Sequence, residues 1–208
     1  YLAQRAKLIR LDTAQDFDHG TPSGGGTVYL TAADEHGMMV SFIQSNYMGF
    51  GSGIVVPGTG ISLQNRGAGF NFEPGHPNCV APGKRPFQTI IPGFVTRNGE
   101  AVMSLGLMGG TMQPQGHVQL MVRMADYGQS PQSAIDAPRF RVDEGLEVNF
   151  EEAFPRATIA ELARRGHCAL EELGATYHGF GCGQIIGRID RGYVGCCDMR
   201  RDSHAAGF

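Results

Sequence analysis

Several absences narrow the field before any motif is read. No apolar run approaches the roughly 20 residues that cross a bilayer as a helix, so the chain carries no membrane span of that kind. Neither GxGxxG nor GxxxxGK[ST] occurs, which removes the common glycine-rich phosphate cradles. HExxH and GxSxG are missing too, leaving zincin and α/β-hydrolase chemistry without their motifs. The five cysteines (79, 168, 182, 196, 197) form no CxxC pair, and their odd number argues against a disulfide framework. His178, Cys182, Cys196 and Cys197 match no common zinc-finger spacing, so no metal or cofactor is expected. Charge of one sign is scarce: the net is −3, with no electrostatic reason for a nucleic-acid partner. The first ten residues contain neither an initiator methionine nor a signal-peptide apolar segment. They look like the middle of something, so any targeting segment is expected upstream and the compartment stays open.

What is abundant is glycine: 31 residues without a three-residue period, which excludes collagen and favours a turn-rich β architecture. Leu2, Ala6 and Ile9 share a helical face, so residues 1–10 read as the end of a helix, followed by a polar linker over 12–26. Three hairpins are expected. Val28 to Ala33 and Met38 to Gln44 flank Asp34-Glu35-His36-Gly37. Ile90 to Thr96 and Ala101 to Leu107 flank Arg97-Asn98-Gly99-Glu100, where Asn-Gly is a strong turn signal. Ile185 to Ile189 and Tyr193 to Cys197 flank Asp190-Arg191-Gly192. A helix is expected over Gln115 to Tyr127, burying Val118, Met121, Val122 and Ala125, with a short one over Ser130 to Ala137. Another runs over Ala157 to Arg165 and stops at Gly166. Grouped strands and helices imply a layered α+β fold.

Three segments can carry chemistry. Gly24-Gly25-Gly26 ends at Thr27, which opens a strand-like run. Glycines free the backbone to strain, so the Thr27 hydroxyl can attack the Gly26 carbonyl and the resulting ester can hydrolyse. Thr27 then holds a free α-amine of pKa about 7.7 to 8.0, a base beside its own nucleophile. Taken alone, the same pentapeptide reads as a linker. The loop Ser45-Asn46-Tyr47-Met48-Gly49-Phe50-Gly51-Ser52-Gly53 returns to the end of the hairpin where Thr27 lies, offering a hydroxyl to it. Met108-Gly109-Gly110-Thr111, between strand and helix, can present two backbone N–H groups to one oxygen, each such donor contributing about 2.7 to 4 kcal/mol in a transition state; a tight structural turn is the alternative. Asp34, Glu35 and His36 are expected to be solvated at a turn tip. Met38, Met39, Met103, Met108, Met121 and Met124 are expected to fill core, and His117, placed in the first turn of its helix, to be structural.

These pieces come in one order: Gly-Thr-strand, Ser-Asn-Tyr-Met-Gly-Phe-Gly-Ser-Gly-Ile, Gly-Ile-Ser-Leu-Gln-Asn-Arg-Gly-Ala-Gly-Phe, Gly-Lys-Arg-Pro, Met-Gly-Gly, then Asp-Tyr-Gly-Gln-Ser-Pro-Gln-Ser-Ala-Ile-Asp-Ala-Pro-Arg-Phe. From Thr27 to Phe208 the order resembles the small subunit of the γ-glutamyltranspeptidase (glutathione hydrolase) family, and residues 1–26 resemble the tail of the large subunit. The resemblance implies a four-layer αββα sandwich of the N-terminal-nucleophile hydrolases, and a precursor that cuts itself between Gly26 and Thr27. It implies Thr27 as nucleophile, Ser45 as its hydroxyl support, and Gly109 and Gly110 as the oxyanion hole. It also implies donor contacts from Tyr47, Arg66, Gln88 and Thr89, and a large-subunit partner from the same precursor.

The reading that follows is hydrolysis or transfer of γ-glutamyl amides such as glutathione, to water or an amine acceptor, without metal or cofactor. One departure bears on the donor. Where γ-glutamyl enzymes carry an acidic residue for the α-ammonium, immediately before the phenylalanine matched by Phe70, this chain has Gly69. The Gln-Asn-Arg-Gly-Ala-Gly-Phe form resembles the branch that includes glutaryl-cephalosporin acylases, so a glutaryl or oxamyl donor is the alternative. The short stretch from Phe70 to Gly83 implies a reduced lid. A non-catalytic, unprocessed fragment is the alternative from another class.

Overall fold

The computed structural model describes residues 7–8, 27–89, 91–143, 145–172 and 179–208, the side chains of 170–172 excepted. The expected helix end over 1–10, apart from a turn at 7–8, the linker, Gly26, Ile90 and His178 lie outside these residues. The first half holds β1 (Thr27–Ala33), β2 (Met39–Ser45), β3 (Gly93–Arg97), β4 (Glu100–Met108) and helix α1 (Met112–Ala125). Next come α2 (Pro131–Asp136), β5 (Phe140–Val142), β6 (Glu147–Glu151) and α3 (Arg156–Arg164). The chain ends with β7 (Cys168–Glu172), β8 (Cys182–Ile189) and β9 (Gly192–Cys197). All three expected hairpins form, β1–β2, β3–β4 and β8–β9, each antiparallel.

Two sheets lie face to face. The first is the β1–β2 ribbon; the second has the order β3-β4-β8-β9. Alternation along each strand decides what meets what. In β1 the inward residues are Thr27, Tyr29 and Thr31, and the outward ones Val28, Leu30 and Ala32. Tyr29 lies over Gly106 of β4, where a Cβ would come within 2.3 Å of the ring, so glycine is what lets the ring cross. Thr31 Oγ1 bonds Ser104 Oγ, and Ser41 Oγ, itself 2.7 Å from Tyr29 Oη, donates to the Gly93 carbonyl at 2.8 Å. The facing surface is therefore rich in paired hydroxyls.

The opposite face of the four-stranded sheet carries the main core. Leu105, Leu107 and Ile185 pack there with Met112 and Leu120 of α1 and Ala134 and Ile135 of α2. The buried stripe of α1 differs from the expected one. Met112, Gln113, Gly116, Gln119 and Leu120 are buried, whereas Val118 is 63% exposed and Val122 and Ala125 are exposed too. Two contacts fix this rotation. Leu107 packs so closely on Gly116 that a Cβ there would come 2.7 Å from its methyls, and the Gln119 amide bonds both backbone groups of Phe140. Helix α1 also begins earlier than Gln115, because the N–H groups of Met112 and Gln113 bond the Gly109 and Gly110 carbonyls at 3.1 Å. His117 thus stands in the second turn. Met103, Met121 and Met124 pack on the core as expected, but Met38 is exposed.

The three-stranded sheet β5-β6-β7, not expected from the sequence, buries Val148 and Phe150 against Ile159 of α3. A buried ionic cluster joins it to the main sheet. Arg139 Nη2 lies 2.6 Å from Asp198 Oδ2, and Arg200 bonds both Asp198 Oδ1 and the two Glu151 oxygens. Asp34 has a defined task as well: its Oδ1 accepts from the N–H groups of His36 and Met38 and shapes the first hairpin turn.

Candidate active site

The register of the first hairpin assembles the centre. Thr27 pairs with Ser45 across the ribbon, and both side chains point inward. The Thr27 hydroxyl donates to Ser45 Oγ at 2.9 Å. That same Oγ accepts the Tyr47 N–H at 2.9 Å, so one hydroxyl fixes the nucleophile candidate and the loop beyond it. Tyr47 sits at φ +76°, left-handed backbone that costs a non-glycine residue about 1 to 3 kcal/mol and clusters at functional sites.

Asn65, which the sequence reading missed, holds this loop in place. Its Oδ1 accepts from Met48 N–H at 3.0 Å and its own N–H donates to the Asn46 carbonyl. Arg66 is thereby brought over Tyr47, its guanidinium carbon 5.0 Å from the ring centroid. Arg66 Nη1 donates to Thr89 Oγ1 at 3.4 Å, and Thr89 is buried. Burial pulls the Arg66 pKa down and Tyr47 pulls it up; the guanidinium remains charged at any working pH. Among the described residues Arg66 is in no ion pair. Asn78, also missed, donates to the Gly69 carbonyl and accepts from Phe87 N–H at 2.8 Å, closing the Arg66–Gly69 turn onto the Thr89 segment. Thr27, Ser45, Tyr47, Arg66 and Thr89 thus form a linked series, while Gln88 is exposed outside it.

Gly109 and Gly110 lie at the end of β4, with φ +148° and +57°. Only glycine fits at 109, where a Cβ would stand 2.8 Å from the Gly181 Cα. Behind it, Arg139 Nη1 holds the carbonyls of Phe180 and Gly181 at 2.9 and 3.2 Å. Among the described residues no backbone acceptor meets the Gly109 or Gly110 N–H. Met108, the preceding residue, lines the same cavity as Thr27; its volume is about 440 Å³, and Cys182, Gln184, Arg201 and His204 also border it. The Cys182 thiol is pushed up to about 11, by burial first and then by Asp198, so it stays protonated and unreactive. No group of His, Cys, Asp or Glu able to hold a metal occurs among the described residues.

A hydroxyl on a strand end, a second hydroxyl bonded to it, a glycine pair and a cation beyond them are an arrangement that suits acyl transfer. A family model described as gamma-glutamyltranspeptidase matches residues 1–208. The chain belongs to the γ-glutamyltranspeptidase family.

Relatives in this family are named as proenzymes. The chain is 39% identical over 199 residues to the oxamate amidohydrolase proenzyme of Klebsiella pneumoniae, covering 90% of itself and 38% of that protein. It is 38% identical over 195 residues to the glutathione hydrolase-like YwrD proenzyme of Bacillus subtilis, covering 90% of itself and 37% of that protein. It therefore spans under two fifths of these relatives' length. Among solved structures, cephalosporin acylase from Bacillus halodurans aligns with a TM-score of 0.79 and 50% identity, over 86% of this chain and 34% of that one. Gamma-glutamyltranspeptidase from Pseudomonas nitroreducens aligns with a TM-score of 0.72 over 86% of this chain and 98% of that one. At 22% identity, this second likeness concerns the fold alone. The mixed α/β architecture matches that of the γ-glutamyltranspeptidase and acylase structures.

Proposed function

We propose that residues 27–208 are the catalytic subunit of a self-processing amide hydrolase whose acyl donor ends in a carboxylate and carries no α-ammonium. Residues 1–26 are then the tail of the large subunit, released by cleavage at Gly26–Thr27. The large subunit supplies the fourth layer of an αββα sandwich. The proenzyme names of the relatives support this processing.

In the reaction, Thr27 Oγ1 adds to the amide carbonyl while the freed Thr27 α-amine takes its proton. The carbonyl oxygen becomes an oxyanion received by the Gly109 and Gly110 N–H groups. Collapse expels the amine, which leaves with the proton held by the α-amine, and an ester to Thr27 remains. Water, activated by the same α-amine, hydrolyses the ester and restores the hydroxyl. An amine acceptor in place of water gives transfer.

The observation that carries the donor assignment is Arg66. Its guanidinium lies on Tyr47, reaches Thr89 and has no carboxylate partner among the described residues. Gly69 stands at the neighbouring position where an ammonium would need an acid. A cation without an acid beside it selects a carboxylate and rejects an ammonium. The name oxamate amidohydrolase among the similar proteins agrees with such a donor. A γ-glutamyl donor is the second reading, favoured by the name of the Bacillus subtilis relative; Tyr47, Thr89 and Gln88 would then share its amino-acid head.

The test uses the full-length precursor. Intact-mass analysis is expected to show two chains, the smaller beginning at Thr27, and Thr27→Ala is expected to stay whole. Cleavage of the alanine variant at the same bond would refute self-processing by Thr27, and a wild-type precursor that stays whole would leave the non-catalytic reading standing. The processed protein is expected to cleave glutaryl and oxamyl amides well above γ-glutamyl anilide. The reverse order of kcat/KM would return the assignment to γ-glutamyl chemistry.

A further inference from the structure

His117 takes no part in the chemistry above, yet it occupies a particular place on the strand that ends in the glycine pair. Backbone N–H groups of an antiparallel strand alternate between its two edges. On the β3 edge of β4, Leu105 lies opposite Gly93, where β3 begins. Two residues on, Leu107 has no β3 residue opposite, and its N–H donates to His117 Nε2 at 3.3 Å. Gly109 follows two residues further on, just past the end of β4. On the other side of the ring, Nδ1 lies 2.6 Å from the Gln113 carbonyl. Because Nε2 accepts, Nδ1 must carry the proton and donate, so the imidazole is the neutral Nδ1–H tautomer. One ring therefore ties the end of β4 to the first turn of α1, and the Gly109–Gly110 turn lies between its two anchors.

We infer that His117, as a neutral imidazole, is the positioning residue that sets the Gly109–Gly110 backbone for oxyanion binding. The inference rests on the amide-hydrolase reading, since it concerns the step in which those N–H groups receive charge. Gly93 lies beside the ring: a Cβ there would stand 3.4 Å from its Cδ2. Protonation would place a second N–H donor against the Leu107 N–H and open the clamp. From β4 the ring meets an N–H, from α1 a carbonyl and from β3 Gly93, and Arg139 is the charged side chain that acts on it. Burial lowers the His117 pKa, the Gln113 carbonyl raises it and Arg139 lowers it, with a net shift downward. A group with its folded pKa below the unfolded value binds fewer protons in the fold. The clamp is thus complete above about pH 6.5 and is lost as pH falls through the lower folded value.

The test compares variants of the full-length, processed protein. His117→Phe removes both bonds; His117→Gln places an amide oxygen where Nε2 was, and so retains an acceptor for Leu107. The expected result is a loss of about 100-fold in kcat for His117→Phe with KM within about twofold, as for a displaced transition-state contact. His117→Gln is expected to recover most of that loss and to remove the further fall in kcat below about pH 6.5, leaving the acid limb that the Thr27 α-amine sets. Should His117→Phe fail to fold, His117→Asn, which bonds Gln113 but does not reach Leu107, replaces it with the same expected loss. Wild-type kcat in the variant lacking the Leu107 acceptor, or His117→Gln as slow as that variant, overturns the inference. Imidazole ¹⁵N shifts give a readout independent of substrate: an Nε2–H tautomer overturns it too. A wild-type protein inert towards every amide would instead overturn the underlying reading.

Discussion

In the proposed reaction, Arg66 is the residue on which donor choice turns. A charge-assisted hydrogen bond contributes about 1.5 to 3 kcal/mol, or roughly 10- to 150-fold in binding. Arg66→Met is therefore expected to lower kcat/KM for a glutaryl amide by that factor while leaving a neutral acyl amide of the same length within about threefold. Equal losses on both donors would show that Arg66 acts by shaping the loop. Arg66→Lys is expected to recover only part of the activity, because a compact ammonium keeps the charge but not the planar face that lies on Tyr47. Ser45 makes a complementary case. Its Oγ accepts from both Thr27 and Tyr47, so Ser45→Ala releases two groups together. Its cost should appear in kcat, and burst kinetics should place it in the acylation step.

At the scale of elements, the ionic cluster is the feature most open to test. Arg139 and Asp198 are almost wholly buried, 1% and 0% exposed at their side chains, and removing one partner leaves the other charged and uncompensated. Asp198→Asn is expected to destabilise the fold by about 3 to 5 kcal/mol, read from denaturant midpoints. The damage should reach the site, because Arg139 also holds the Gly181 carbonyl beside Gly109. The sequence displayed Arg139 within Asp-Ala-Pro-Arg-Phe but not its partner, which lies 59 residues away. That difference runs through the whole fold. The three hairpins were legible because short turns such as Asn98-Gly99 join alternating strands. Strands β5 to β7 were not: β5 has three residues, Val148, Asn149 and Phe150 are buried consecutively without alternation, and β7 pairs in parallel from across a helix. Helix α1 was found and Met121 packs as expected, but Val118, Val122 and Ala125 do not, since a glycine and a glutamine, Gly116 and Gln119, set its rotation where a hydrophobic pattern would choose valines. The Thr27–Ser45 contact of the candidate site was legible for the same reason as the hairpins. Thr27 and Ser45 meet through a local register, whereas Asn65, Asn78 and His117 act through backbone bonds that no motif announces.

For the molecule as a whole, the outward face of the β1–β2 ribbon is an exposed apolar surface. Leu30 pairs with Phe42 and Ala32 with Val40 in register, and Val28 continues the row. Val28 is 64% exposed, Leu30 47%, Phe42 49% and Val40 42%. A contiguous apolar sheet face of this kind marks an interface, because water penalises it by about 25 cal/mol per Å². The chain spans 38% of its oxamate amidohydrolase relative, and in the proposed precursor the upstream part covers the ribbon. Residues 27–208 produced alone are therefore expected to bind a hydrophobic dye and self-associate, and co-production with the upstream part of the precursor to suppress both. The double change Leu30→Lys and Phe42→Lys points outward, away from Thr27, and separates the causes. It should keep the isolated chain monomeric while preventing its co-purification with the upstream part. A soluble, dye-free monomer from the unmodified residues 27–208 would mean that the ribbon needs no cover, and would remove the physical case for a fourth layer over it.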